Sequence, residues 1–312
     1  MRRTSNQHVA WTVAYAAACN AALTVVLTRH LGSGATLLWG ELPAMLAIPA
    51  AAGAAVGLVG HGATLNNLLD RHRDAAVTGA APRSAIGPDV IVLVGSLILA
   101  VMMSAVLGPD ATWVVIVLAS LLLFHSAVAR FIPAIGLAVP GALMAGAMLV
   151  PDWRMPMPLA VWLAMSIGVL GAIGVHILGD KRPVLSARAL LMVVMMWIVM
   201  SGVVLGLRGA VEASMWPEGM SMVVLAWPLL AVLLLGVALR WTLPRASGRR
   251  DAADRAVRVL ALWQPLIGAA WCLSVGAEAA AAVFGGIWVL GLAVSAGSRD
   301  LMRLPAGSEA WR

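Results

Sequence analysis

A chain of 312 residues with 62% hydrophobic and 11% charged residues cannot cover a water-facing surface, since a soluble domain of that size keeps roughly a quarter of its residues charged. The formal net charge of +7 would suit a nucleic-acid partner only if the cations formed one patch with interleaved aromatics. They sit instead in short segments between apolar runs, which excludes nucleic acid and fits membrane orientation plus attraction to anionic lipid or phosphate. The two cysteines, Cys19 and Cys272, each lie inside an apolar run, which leaves neither a disulfide framework nor a zinc site.

Apolar runs long enough to cross a bilayer, about 20 residues each, recur along the whole chain. The first begins at Val9 behind Arg2 and Arg3 and has no small-residue cleavage site, so it reads as a transmembrane helix and not as a signal peptide. The expected membrane helices are 9–29, 43–68, 89–107, 111–129, 133–150, 159–178, 187–207, 220–240, 257–275 and 278–296. Their connections are too short to separate domains, so residues 1–312 read as one integral membrane domain. Ala, Gly, Val and Leu dominate these runs, and small residues let membrane helices approach closely. With ten crossings and cytoplasmic termini, 18 of the 21 Lys and Arg fall on the cytoplasmic side, leaving Arg29, Arg154 and Arg208 outside. Nine crossings give 15 against 6. The positive-inside bias therefore favours ten.

Charged residues near the ends of membrane helices are costly and persist mainly where they are partnered or used. The second helix closes with Asn66, Asp70 and Asp74, spaced four and four, so in a helix all three project from one face. Two carboxylates at that spacing repel by roughly 0.2–0.5 kcal/mol in an isolated helix, and a divalent cation would convert the repulsion into ligation. Mg²⁺ suits such oxygen ligands, because it retains waters and is completed by substrate phosphates. A solvated helix end, with Arg71 and Arg73 pairing the aspartates, is the equal alternative from these residues alone. The sixth helix ends in His176, Asp180, Lys181 and Arg182, with His176 and Asp180 again four apart. Taken alone, that segment reads better as an ordinary positively charged loop in which Asp180 ends the helix. The fourth helix ends in Phe124, His125, Ser126 and Arg130. Arg130, like Arg83 in the loop after Asp74, is either an interfacial anchor or a guanidinium for a diphosphate oxygen.

At these residues the chain resembles the UbiA superfamily of intramembrane prenyltransferases. That family has an N-x-x-x-D-x-x-x-D motif at the end of its second helix, matched by Asn66, Asp70 and Asp74. It has an arginine in the following loop, where Arg83 stands, and a basic residue closing the fourth helix, where Arg130 stands. Its second aspartate motif, D-x-x-x-D, falls on His176 and Asp180. The departures are His176 in place of the first aspartate of that motif and Ser84 in place of a proline. The resemblance implies an all-α polytopic transmembrane bundle with a nine-helix core, to which the tenth segment is an addition. It implies Mg²⁺ held by Asn66, Asp70, Asp74 and Asp180, with Asp70, Asp74 and Asp180 catalytic. Arg83, Arg130, Lys181, Arg182 and His176 would contact a prenyl diphosphate, His176 as a ligand, a base or a buried polar residue. The implied reaction is prenyl transfer to a lipophilic or aromatic acceptor within the membrane, at its cytoplasmic face. A terpene cyclase of the same superfamily, a catalytically silent relative, and a transporter with Asp70 and Asp74 on an ion path are the alternatives. Transport is disfavoured because transporters place ionisable groups near mid-bilayer. The expected partners are prenyl diphosphate, acceptor and membrane lipid.

Overall fold

The computed structural model describes residues 2–32, 42–78, 86–178, 185–209 and 221–303, and every regular element among them is helical. The ten α-helices are α1 (Arg2–Leu31), α2 (Ala44–Thr78), α3 (Gly87–Leu107), α4 (Pro109–Ala127), α5 (Pro133–Leu149), α6 (Pro158–Leu178), α7 (Ala187–Gly209), α8 (Ala226–Thr242), α9 (Arg249–Ser274) and α10 (Glu278–Arg303). Proline opens α4, α5 and α6, a position where its missing N–H is no loss and its fixed φ suits the helix. Two reversals rest on glycine: Gly108 between α3 and α4 (φ 122°) and Gly276 between α9 and α10 (φ 79°), conformations that a Cβ disfavours.

Among the described residues, nine of these helices are long and apolar enough to cross a membrane. The shorter one, α5, has 17 residues and is about 25 Å long at 1.5 Å per residue. It packs on α1, α4, α6 and α7, so its ends are wrapped by protein and need not reach the headgroups. Its direction is set by the turn that follows it, where Trp153 Nε1–H donates to Asp110 Oδ2 at 3.4 Å and so brings the end of α5 to the start of α4. A Cβ on Gly146 of α5 would meet Leu118 of α4, and one on Gly168 of α6 would meet Gly141 and Pro140 of α5. Such crossings fit α5 running antiparallel to both neighbours, as a tenth traverse would.

The helices form two four-membered rings that share an edge. One ring is α1, α2, α4 and α5; the other is α1, α5, α6 and α9. Sequence explains why α1 stands at the junction. Ala17, Ala21 and Val25, spaced by four, are buried against the alanines of α2. Cys19, Leu23 and Leu27, on the adjoining face, are buried among residues of α5, α6 and α9. Helices α3, α7, α8 and α10 lie outside the rings, with most of their span residues exposed. Their leucines, valines and isoleucines face outward, as a bilayer solvent requires. A Mg²⁺ site shared by Asp70 and Asp74 of the second helix and Asp180 after the sixth would lead one to expect α2 and α6 side by side, and they do not pack so. Helix α2 packs on α1, α3 and α4, and α6 on α5, α7 and α9, because α1 and α5 carry apolar residues enough to be buried on both sides and so stand between them.

Candidate active site

Helix α2 does not stop where its apolar run ends. It continues without a break to Thr78, so Asn66, Asp70 and Asp74 occupy successive turns of one helix and share a face. Asn66 is exposed and Asp70 half-buried, at the last residues of the span Ala44–Arg71. Asp74 is described by its backbone alone. The acidic face therefore starts where the apolar span ends.

Three further elements reach the same end of the bundle. Helix α2 runs antiparallel to α3, since Gly53 sits on Met103 and Gly60 on Ser96. It runs parallel to α4, whose Leu122 meets Gly62. With α4 antiparallel to α5, and α5 to α6, α2, α4 and α6 end at the same end of the bundle. His176, in the last turn of α6, is buried. His125 is in the last turn of α4. Arg130 stands in the 3-10 turn Ala129–Phe131, which packs on α4 and α5. Its side chain is not described. Arg83, Asp180, Lys181 and Arg182 lie outside the described residues.

Among the described residues no group of three or more His, Cys, Asp or Glu comes together. The donors that are described suit a hard cation in kind all the same: an amide oxygen on exposed Asn66 and a carboxylate on Asp70, one turn apart near the end of the span. An open cleft of about 570 Å³ lies at the opposite end, between Arg29 and His30 of α1 and the Gly276–Glu278 turn, and is no part of this constellation.

The polar residues that composition hides are inside the bundle. His61 is buried on α2, with its Nδ1 3.2 Å from the Leu93 carbonyl of α3. Asn20 and Gln264 are buried mid-span on the neighbouring helices α1 and α9. Sequence reasoning passed over all three, although a polar residue in the middle of an apolar run is a detectable signal in its own right.

No family model matches the chain, and no curated protein matches it. Among solved structures it is similar to the one described as giving structural and mechanistic insights into the biosynthesis of digeranylgeranylglyceryl phosphate synthase in membranes. The TM-score is 0.49 and the identity 12%, over 86% of this chain and 98% of that chain.

Proposed function

We propose that this integral membrane protein is a Mg²⁺-dependent prenyltransferase of the UbiA type. It would move an isoprenyl group from a prenyl diphosphate to a lipophilic or aromatic acceptor at the cytoplasmic membrane face. The observation that carries the reading is the unbroken helical face Asn66–Asp70–Asp74, which begins where the α2 span ends and shares that end of the bundle with α4 and α6. Ionisable groups at span ends are placed to meet a headgroup, whereas an ion path would need them near mid-bilayer.

Asn66 and Asp70 supply the first oxygen donors, and Asp74 and Asp180 the remaining carboxylates of the set. Mg²⁺ bound there would neutralise diphosphate charge as a Lewis acid. Arg83, Arg130, Lys181 and Arg182 add cationic donors to the diphosphate oxygens, with guanidinium suited to paired oxygens. Breaking the bond from the prenyl C1 to the diphosphate oxygen sends the electron pair to the diphosphate, where these cations stabilise the growing charge. The acceptor then gives an electron pair to C1 and loses a proton. His176, buried in the last turn of α6, is the base nearest in role to that proton. The prenyl chain itself needs only an apolar environment, which the bilayer-facing helices provide.

The test uses the purified full chain with Mg²⁺ and prenyl diphosphates of several chain lengths, with and without aromatic acceptors. Diphosphate release that requires both Mg²⁺ and an acceptor supports transfer. Release without acceptor, accompanied by a cyclic hydrocarbon, makes the protein a cyclase. Absence of both Mg²⁺-dependent binding and release across the panel overturns the enzyme reading.

A further inference from the structure

We propose that the α8–α9 corner is a binding site for an anionic phospholipid, with Arg240 and Arg245 on its phosphate, Trp241 beside the headgroup, and an acyl chain along the outer face of α8. This inference stands apart from the prenyl-transfer reading and uses none of its residues.

Helix α8 presents an apolar stripe to the outside. Leu230, Leu233, Leu234 and Val237 are exposed, Leu233 by 68%, and their spacing of three and four places them on one face. The same register continues to Arg240 and Trp241, both exposed, Trp241 by 64%. The stripe is thus greasy along its length and ends in a guanidinium and an indole. That order matches a phospholipid read from tail to headgroup, and Trp is a favoured residue at this depth.

The chain then turns back on itself. A 3-10 turn, Leu243–Arg245, follows α8. It brings the Arg245 guanidinium to 5.5 Å from the Trp241 ring centroid, while Arg245 Nη1–H donates to the Trp241 carbonyl at 2.5 Å. The indole holds this arginine over the headgroup level through a cation–π contact. Arg245 thus stands against the exposed Trp241, and Arg240, also exposed, directly precedes that tryptophan in the chain.

Charge bookkeeping in the corner points to an anion from outside. Residues 240–258 contain six arginines and two aspartates. Asp251 is taken by Arg255 at 2.8 Å and by Ser247, which leaves Asp254 as the one further carboxylate against five arginines. Among the described residues neither Arg240 nor Arg245 makes an ion pair. Membrane orientation alone is served by cations anywhere in the segment. It does not require two arginines at the head of a lipid-facing stripe with one of them stacked on an indole. A phosphodiester offers paired oxygens that suit guanidinium, and an anionic lipid keeps its charge, whereas a zwitterionic one offsets it with its own ammonium.

The experiment is native mass spectrometry of the full chain in detergent, titrated with short-chain phosphatidylglycerol or phosphatidylcholine at fixed ionic strength. A preference for phosphatidylglycerol of roughly 5- to 30-fold is expected, the scale of two arginines at a membrane surface. Arg240→Gln with Arg245→Gln should bring the ratio to near unity. Arg240→Lys with Arg245→Lys keeps the orienting charge and carries the test if the glutamine pair fails to insert; it should lower the ratio several-fold at unchanged thermal midpoint. Inorganic phosphate at millimolar concentration should leave the bound lipid in place. Equal retention of the two lipids by the parent protein would overturn the proposal. So would an undiminished preference in both paired variants, or displacement of the lipid by inorganic phosphate alone.

Discussion

A carboxylate at the end of a membrane span is solvated, paired or used, and exchange for its amide separates these cases. Asp70→Asn and Asp74→Asn keep side-chain volume, remove a charge from the α2 face and relieve a repulsion of roughly 0.2–0.5 kcal/mol between residues four apart. If the pair holds Mg²⁺, thermal stability without the metal stays constant or rises slightly. Mg²⁺-dependent retention of a prenyl diphosphate falls by a factor of ten or more, the order of a lost charge-assisted contact of about 1.5–3 kcal/mol. A structural salt bridge would behave the other way, losing stability on neutralisation. Parent-like binding of the diphosphate by both variants removes the pair from the metal site. At this scale the α2 motif was legible because helical spacing needs only the sequence, and continuation of α2 to Thr78 supplies the helix that the spacing assumed. His61, Asn20 and Gln264 were not legible as a group, because their burial depends on which helix faces which.

Between elements, two kinds of contact hold α6 to its neighbours. Where α5 crosses α6 the backbones nearly touch: a Cβ on Gly168 would lie 2.8 Å from the Gly141 Cα and 3.1 Å from the Pro140 carbonyl. Those neighbours are backbone and cannot rotate away. Gly168→Ala is therefore expected to destabilise by about 1–3 kcal/mol through overpacking, measured as a lowered thermal midpoint in detergent. Gly95→Ala, with nothing within 4 Å of its Cβ, is the control and should be neutral or slightly stabilising, as alanine is the better helix former. An equal loss in both variants would mean that helix propensity, not the crossing, governs. The α6–α7 contact is polar instead. Trp162 Nε1–H donates to Ser201 Oγ and Trp197 Nε1–H to Ser166 Oγ, each at 3.0 Å, with the indole centroids 5.8 Å apart. Ser166→Ala leaves the Trp197 indole N–H without its acceptor in a medium with no water to replace it, and a double-mutant cycle with Trp197→Phe should give a coupling of about 0.6–1.7 kcal/mol. A coupling near zero would make the pair incidental. All ten helices were legible as apolar runs, but their polar extensions were not. Helix α1 starts at Arg2, α9 at Arg249, and α2 runs ten residues past the expected 68, because hydropathy marks the bilayer and not the helix. The glycine crossings were invisible in sequence, which shows small residues without showing what they meet.

At the scale of the whole molecule, orientation follows from the number of traverses, and that number turns on α5. Among the described residues, nine helices are long and apolar enough to span. Were α5 a surface helix, the termini would lie on opposite sides. Its antiparallel packing between α4 and α6, through Leu118–Gly146 and Gly141–Gly168, carries the chain back across and gives ten. The ring arrangement that makes room for so short a helix was not readable from the sequence, since it depends on α1 burying two faces at once. With ten traverses, 18 of the 21 Lys and Arg fall on the side of the termini. If the bias of such residues toward the cytoplasm holds for this chain, both termini are expected there, together with the ends of α2, α4 and α6. A reporter fused after Arg312 is expected to be active when it is one that works in the cytoplasm, and silent when it is one that needs export. A second fusion in the 150–157 connection between α5 and α6 should show the opposite pattern. The pair of fusions separates two errors. Export of the C-terminal reporter with export at 150–157 leaves the α5 traverse intact and removes only the α10 crossing. Cytoplasmic activity at 150–157 places both ends of α5 on one side and would require the α4–α5–α6 packing to be wrong.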